Sequence, residues 1–405
     1  MKDNAAWFDC LLVLLCLMAA QAVLAAFTGQ WAWAQNPYNS YTLQALRWLD
    51  GHLDLGQNYS WLELAVYEGH YYVSFPPFPS YLLLPFAALF GENTPDGWIA
   101  LFLSWIGGCY AVKLYRGMAN DNHGSVFFVL FLLLGNGYLF LTMNGWVWFF
   151  AQNLCFVLSL AALYHAWRGQ GGLALAAWAC AVGCRPMTVL YLPILIVLLW
   201  RREVCSISVS ALCGWVLRRW YWGIAPLLLA ASYMMLNWMR FGNIMEFGHN
   251  YLPEFTSVST GQFNLAYLWQ NLRLLFRLPV YQGSQQPMTF FIFETMAFYL
   301  IAPFTISCAA AWGYALLRRR MQERWTLALL PVLALAHLLI LCCHKTLGGW
   351  QFGNRYLVDL LPWLFACFAL WKPKSARFDA LCLPLATLGI CLNLVGSVAA
   401  YNMWI

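Results

Sequence analysis

Charge is what this sequence has least of. Its 405 residues carry 22 Lys and Arg and 16 Asp and Glu, so charged side chains make up 9% of the chain, against about a quarter in soluble domains. A water-facing surface cannot be built from so few charges, and a soluble globule is excluded. Low-complexity tracts and an inverted internal repeat are absent as well. The net charge of +6 arises from bases spread over alternate loops, so it points to no nucleic-acid partner. Cysteine is plentiful at fourteen residues, yet none lies where oxidation would bridge loops. Twelve fall inside apolar runs, and Cys205 and Cys213 fall in a basic loop. They read as small buried hydrophobes and not as a disulfide framework.

What is present is apolar length. Runs at 10–27, 98–112, 126–142, 146–163, 172–200, 222–239, 290–317, 325–343, 356–371 and 380–403 recur through the chain. Each is close to the roughly 20 residues a helix needs to cross hydrocarbon. Backbone polar groups in lipid must pair internally, so the pattern predicts an all-α, polytopic transmembrane bundle forming one integral membrane domain over 1–405. The run 172–200 contains Gly183-Cys184-Arg185-Pro186. A proline disfavours helix at the residue before it, so this run is split into two legs with Arg185 at the tip. That makes eleven spans.

Fifteen of the 22 bases, from Lys2 through Arg116, Arg201, Arg219 and Arg318 to Arg377, fall in alternate loops. Positive loops stay cytoplasmic, which puts the N-terminus inside and the C-terminus outside. Ala32-Trp33-Ala34 resembles a signal-peptidase site, but Trp31 and Trp33 also suit an interfacial aromatic belt, and the first span is taken as an uncleaved anchor.

The loop 28–98 is then external, and no later loop is as long or as acidic. Asn36-Pro37 is a good helix start, and Tyr38, Tyr41, Ala45, Trp48 and Leu49 share one face opposite Asn39, Ser40, Gln44, Arg47 and Asp50. An amphipathic helix lying on the membrane surface is expected here. Ser60-Trp61-Leu62-Glu63 has the pattern of a capping box and predicts a second such helix ending near Gly69. The apolar piece 80–90 is short enough to be re-entrant, or to lie against the bundle. A second external segment, 240–289, contains Glu246, His249, Glu254, Arg273 and Arg277, with an interfacial helix expected over 265–278.

Bases on the external side need a reason. Arg185, Arg240, Lys345 and Arg355 stand at or near span ends, where arginine forks could grip the phosphate of a lipid headgroup. Snorkelling to the interface is the plainer alternative for any one of them.

Tyr71 to Ser80 with Leu82-Leu83-Leu84-Pro85, Cys184-Arg185-Pro186, Arg240-Phe241-Gly242 with Glu246-Phe247-Gly248, and Phe352-Gly353-Asn354-Arg355-Tyr356 through Asp359 and Pro362 resemble bacterial GT-C-fold membrane glycosyltransferases of the protein mannosyltransferase and aminoarabinose transferase group. The resemblance covers most of the chain and rests on the order of weak motifs. It implies a polyprenyl-phosphate sugar donor, an acceptor that is a glycan, lipid or protein, reaction on the external face of the inner membrane, and inversion at the anomeric carbon. It also implies an Asp early in the first external helix, where this chain has Asn39. A lysine expected before Pro76-Pro77 is Phe75, and a further acid expected between the fourth and fifth spans falls near Asn144.

Such chemistry needs a carboxylate to take the acceptor proton and cations for the phosphate that leaves. Glu63 and Asp54 are the candidate bases, and Glu68 is a third. Glu63 reads equally as a helix cap, and Asp54 equally as a turn residue. Asp96 reads as a turn or cap. Asn39, Tyr72, Glu246 and His249 are expected to line the chamber, although Glu246 and His249 could simply order their own loop. Asp359 stands four residues after Arg355, where it would orient that arginine. No His or acid spacing supports a metal site, no cofactor is expected, and a divalent cation is left open. A transporter or flippase of lipid-linked saccharide is the rival from another class. A GT-C-like protein that binds the donor without transferring it is a third reading, motivated by the amides at 39 and 144.

Overall fold

The computed structural model describes residues 2–119, 123–203, 209–278, 297–318, 321–348 and 352–404. The chain opens with α1 (Lys2–Thr28), α2 (Ser40–Leu49), a hairpin of β1 (Leu64–Tyr67) and β2 (His70–Val73), then α3 (Phe78–Phe90) and α4 (Asp96–Met118). It continues with α5 (Ser125–Leu134), α6 (Tyr138–Leu141), α7 (Val147–Trp167), α8 (Gly171–Val182) and α9 (Leu192–Glu203). Next come α10 (Val209–Arg218), α11 (Ile224–Phe241), α12 (Pro253–Thr256) and α13 (Leu268–Phe276). The last helices are α14 (Phe298–Ile301), α15 (Phe304–Arg318), α16 (Met321–Cys342), α17 (Leu361–Trp371) and α18 (Ala376–Tyr401). The chain is an all-α polytopic bundle. Four of the described helices, α1, α4, α7 and α18, are long and apolar enough to cross a membrane.

Two compact units are present. The first comprises Met1–Trp31, Leu103–Met143 and Leu265–Ile405, and the second Ala32–Phe102 and Asn144–Asn264. In the first unit, polar groups inside apolar helices meet one another. The Gln21 amide of α1 donates to Ser104 Oγ and Thr142 Oγ1, both at 2.9 Å, and accepts from Trp105 Nε1 at 2.8 Å. Such a knot removes the penalty of burying each group alone. Leu11 and Leu15 of the same helix point outward at 52% and 54% exposure, which suits a lipid surround.

The expected spans differ in continuity. The run 126–142 is not one helix, because Gly135-Asn136-Gly137 interrupts it. Asn136 donates to Leu132 O and accepts from Tyr138 N at 2.9 Å, offering the backbone an alternative to the helical ladder. The run 290–317, as far as it is described, breaks at Ala302-Pro303 between α14 and α15, where proline cannot continue a helix. The run 356–371 starts as a 3-10 turn over Arg355–Leu360 and becomes α-helical with Pro362 in the first turn of α17. The run 172–200 splits as expected. Arg185 is extended at φ −140° before Pro186, and a 3-10 segment Pro186–Tyr191 leads into α9. A helix is present within 265–278 as α13, with Trp269 outward at 71% exposure and Asn271 inward on Cys342 O and His344 O at 2.9 and 2.7 Å.

The second unit corrects two expectations. Residues 60–69 are not a helix. Leu64↔Val73, Ala65↔Tyr72, Val66↔Tyr71 and Tyr67↔His70 pair antiparallel. The two-residue turn Glu68-Gly69 has φ of 50° and 82°, the signature of a primed hairpin turn. Val and Tyr on both arms and a glycine between them outweigh a capping box, which is only a local signal. Glu68 holds a left-handed conformation that asparagine adopts more readily, so Glu68→Asn should stabilise the hairpin by up to about 1 kcal/mol, read as a rise in the thermal midpoint.

Nor does α2 lie with Ser40 and Gln44 facing outward. Both are buried, at 0% and 1% exposure, while Leu49 is 49% exposed. The helix packs on α3, whose Ser80 Oγ lies 3.0 Å from Tyr41 O and 2.8 Å from Gln44 Oε1. With 13 residues, α3 is about 20 Å long, shorter than the hydrocarbon thickness.

Candidate functional site

The second unit gathers most of the candidate residues around the hairpin and the start of α2. Glu63 is solvent-exposed, and its Oε2 accepts from Trp148 Nε1 at 2.9 Å. The Trp148 ring lies 5.0 Å from the ring of Tyr38, and Val147 N donates to Tyr38 O at 3.1 Å. Trp61 Nε1 closes the same corner on Pro37 O at 3.1 Å. The Glu63 carboxylate is therefore tied through Trp148 to Tyr38, the residue before the position that the resemblance reserves for an acid. Asn39 itself is half-buried at the N-cap of α2 and caps nothing with its side chain.

Asp54 is engaged differently. Its Oδ2 lies 2.8 Å from His70 Nδ1 and its Oδ1 3.7 Å from Arg47 Nη2, while Arg47 Nε donates to Asp54 O at 3.1 Å. The His70 contact holds this carboxyl below its usual range, with Arg47 contributing. The trio ties the loop after α2 to the hairpin, and Leu55 N extends the tie to Tyr71 O at 2.8 Å.

Arg240 is buried at 3% exposure. Its Nη1 donates to Val73 O at 3.1 Å and its Nη2 to Asn237 Oδ1 at 3.0 Å, with the guanidinium 4.9 Å from the Phe241 ring. It clamps the end of β2 to α11. The Tyr72 ring meets that of Phe241 edge-on at 5.2 Å, and Tyr67 and Tyr251 complete the cluster. Burial raises the Tyr72 phenol, keeping it a donor. Glu246 accepts from Gly248 N at 2.6 Å and Asn250 Nδ2 at 2.7 Å, which orders its own loop.

His249 closes the group. Its Nδ1 donates to Ser74 O at 3.1 Å, and its ring lies 5.5 Å from Phe75 and from Phe255. Phe75 in turn meets the Tyr41 ring at 6.4 Å. Arg185, at the tip between α8 and α9, is within electrostatic reach of both His249 and Tyr41. Burial pushes the His249 imidazole below its ordinary 6.5 and Arg185 adds to that, against Ser74 O, Glu63 and Glu246. A base depressed in the folded state contributes stability that is complete above its unfolded value and is lost as pH falls below it. Unfolding midpoints should therefore drop as pH falls below about 6.5. In His249→Gln, which keeps a donor for Ser74 O and does not titrate, the drop should be shallower.

Lys345 and Arg355 belong to the first unit. Arg355 is 6% exposed, at the start of the 3-10 turn, with its guanidinium 5.3 Å from the Tyr356 ring; Asp359, also 6% exposed, follows one turn later. Asn354 Oδ1 caps the turn on Tyr356 N at 3.0 Å. Among the described residues, no three His, Cys, Asp or Glu side chains are grouped to hold a metal ion. Asp96, read from sequence as a turn or cap, is the first residue of α4, is 5% exposed and accepts from Asn36 Nδ2 at 2.5 Å, while Asn36 Nδ2 also reaches Gly145 O at 2.9 Å. It is a strut between loops, and its asparagine partner, sixty positions away, gave no signal in the sequence.

No protein-family model matches the chain, and no curated protein sequence does. Solved structures are similar to it. ArnT from Cupriavidus metallidurans bound to undecaprenyl phosphate superposes with a TM-score of 0.51 at 15% identity, over 96% of this chain and 74% of that one. The oligosaccharyltransferase AglB from Archaeoglobus fulgidus, in complex with an inhibitory peptide and a dolichol-phosphate, gives a TM-score of 0.46 at 12% identity, over 95% of this chain. The chain spans 56% of the length of AglB. The likeness to ArnT establishes the fold: this is a GT-C-fold polytopic bundle.

Proposed function

We propose that the protein is an integral membrane glycosyltransferase. It moves a sugar from a polyprenyl-phosphate donor to a glycan, lipid or protein acceptor, at the extracytoplasmic face of a bacterial inner membrane and with inversion. Undecaprenyl phosphate bound to ArnT supports the donor class. The observation that carries the reading is the Glu63 carboxylate, held by the Trp148 indole beside the start of α2. In the reaction, an acceptor hydroxyl oxygen forms a bond to the anomeric carbon while the bond from that carbon to the phosphate oxygen breaks. The electron pair leaves on polyprenyl phosphate, and the hydroxyl proton passes to Glu63. Asp54 is the weaker base, because His70 and Arg47 stabilise its charged form. Arg185 is the cation assigned to the leaving phosphate in the second unit, where Arg240 is committed to Val73 O and Asn237. Lys345 and Arg355, in the first unit, are kept as candidate phosphate ligands of that unit.

The test is transfer by the purified full chain from a radiolabelled polyprenyl-phosphate hexose to acceptors in a membrane extract. Label should leave the donor. Donor binding with no transfer to any acceptor overturns the enzyme reading and leaves a protein that binds lipid-linked sugar.

A further inference from the structure

The ten residues of α2 carry a concentration of polar atoms that the fold does not use. Ser40 Oγ, Tyr41 OH, Thr42 Oγ1, Trp48 Nε1 and one end of the Gln44 amide are buried with no hydrogen-bond partner among the described residues. Residues 40, 41, 44 and 48 fall within about 100° of the helix circumference at 100° per residue, so these four form one stripe, with Thr42 on another face. Ser80 Oγ sits 2.8 Å from the Gln44 amide. Whichever way that amide is turned, one end meets Ser80 and the other is left. A buried polar group without a partner costs about 1–3 kcal/mol, so four gathered on one face of a short helix call for something polar to complete them.

The surroundings say what kind of ligand fits. Phe75 and Phe150 lie 6.4 and 6.5 Å from the Tyr41 ring, and Tyr81 lies 5.4 Å from Trp48. Aromatic faces interleaved with hydroxyl, amide and indole groups match a sugar, which offers hydroxyls at its edges and C–H groups on its faces. The stripe itself has no carboxylate and no base, and the charge within reach of Tyr41 is Arg185. A cationic amino sugar would find no counter-ion on the stripe, and an acidic sugar would need a second cation beyond the one given to phosphate.

We propose that the inward stripe of α2, Ser40, Tyr41, Gln44 and Trp48, binds the sugar of the donor and selects a neutral, hydroxyl-rich one. This rests on the donor reading above. The test uses the full chain in detergent with three probes: bare undecaprenyl phosphate, the same lipid carrying an unsubstituted hexose, and the same lipid carrying an amino sugar. Wild type should bind the hexose-bearing lipid at least about fivefold more tightly than the other two, as several hydrogen bonds would give. Ser40→Ala and Tyr41→Phe each remove one hydroxyl and little volume. Each should weaken the hexose-bearing lipid about three- to tenfold, the worth of one hydrogen bond, with bare lipid unchanged within twofold. Equal weakening of all three probes, or no effect on any, makes the stripe structural or merely hydrated and overturns the proposal. Tighter binding of the amino sugar overturns the neutral-sugar assignment. If wild type binds none of the probes, the donor reading falls and takes this proposal with it.

Discussion

Glu63→Gln is expected to lower sugar transfer about 10²- to 10⁴-fold, the contribution of a positioned general base, while leaving the thermal midpoint within a degree or two of wild type. The two halves of this expectation have separate causes. Glutamine is isosteric, and its carbonyl oxygen can still accept from Trp148 Nε1, so the corner formed by Trp61, Pro37, Tyr38 and Trp148 keeps its bonds. What it cannot do is accept the acceptor's proton. Donor binding should persist, so the loss falls on turnover. Asp54→Asn is the contrasting variant. It weakens the Arg47–Asp54–His70 trio and should lower stability modestly, because the group is near the surface and screened, with transfer largely retained. Retained transfer in Glu63→Gln together with lost transfer in Asp54→Asn would exchange the two roles. Trp148→Phe tests positioning: it deletes the indole donor and keeps the ring against Tyr38, so transfer should fall by less than in Glu63→Gln and be restored little by raising donor concentration.

How much of this was legible beforehand divides along physical lines. Long apolar runs report on the solvent around a helix, so the bundle, the split at Arg185-Pro186 and the amphipathic α13 could all be read directly. Breaks inside spans were harder, since Gly135-Asn136-Gly137 interrupts α5 through hydrogen bonds made by a single asparagine side chain. The hairpin was misread because Ser60-Trp61-Leu62-Glu63 satisfies a helix-start pattern, while the pairing that wins joins residues up to nine positions apart. The face of α2 was misassigned for a related reason. Ser40 and Gln44 are polar by type, but both are buried, and Gln44 meets Ser80, a partner in α3 that periodicity alone does not reveal. Glu63 stands close in sequence to the Tyr71–Ser80 stretch, whereas its link to the start of α2 runs through Trp148, eighty-five positions away. Arg240 stands at a span end, as a phosphate ligand would, and only the structure shows its guanidinium on Val73 O and Asn237.

Arg185→Ala is the second variant with a large expected effect, a loss of about 10²- to 10³-fold in transfer, as when one preorganised donor to a developing negative charge is removed. The Arg185 side chain does not cap the turn that follows it. Residues 183–185 leave α8, Arg185 is extended at φ −140°, and Pro186 starts the next turn without needing its neighbour's side chain. The tip is nonetheless anchored, because Gly183 O accepts from Phe78 N at 3.0 Å and an added Cβ at Gly183 would stand 2.8 Å from that of Phe78. A guanidinium on a fixed tip, within electrostatic reach of Tyr41 and His249, is what a leaving phosphate requires. Removing it should raise the concentration of donor needed and also slow turnover, since charge on the phosphate grows as the glycosidic bond breaks. Arg185→Lys should recover only part of the loss, because an ammonium supplies the charge without the paired, planar donors of the fork. Arg240→Lys should behave in the opposite way, with a lower thermal midpoint and smaller effect on turnover per folded molecule, because its two Nη groups serve the end of β2. A full-sized loss of turnover in Arg240→Lys at unchanged stability would move the phosphate site to α11 and overturn the assignment to Arg185.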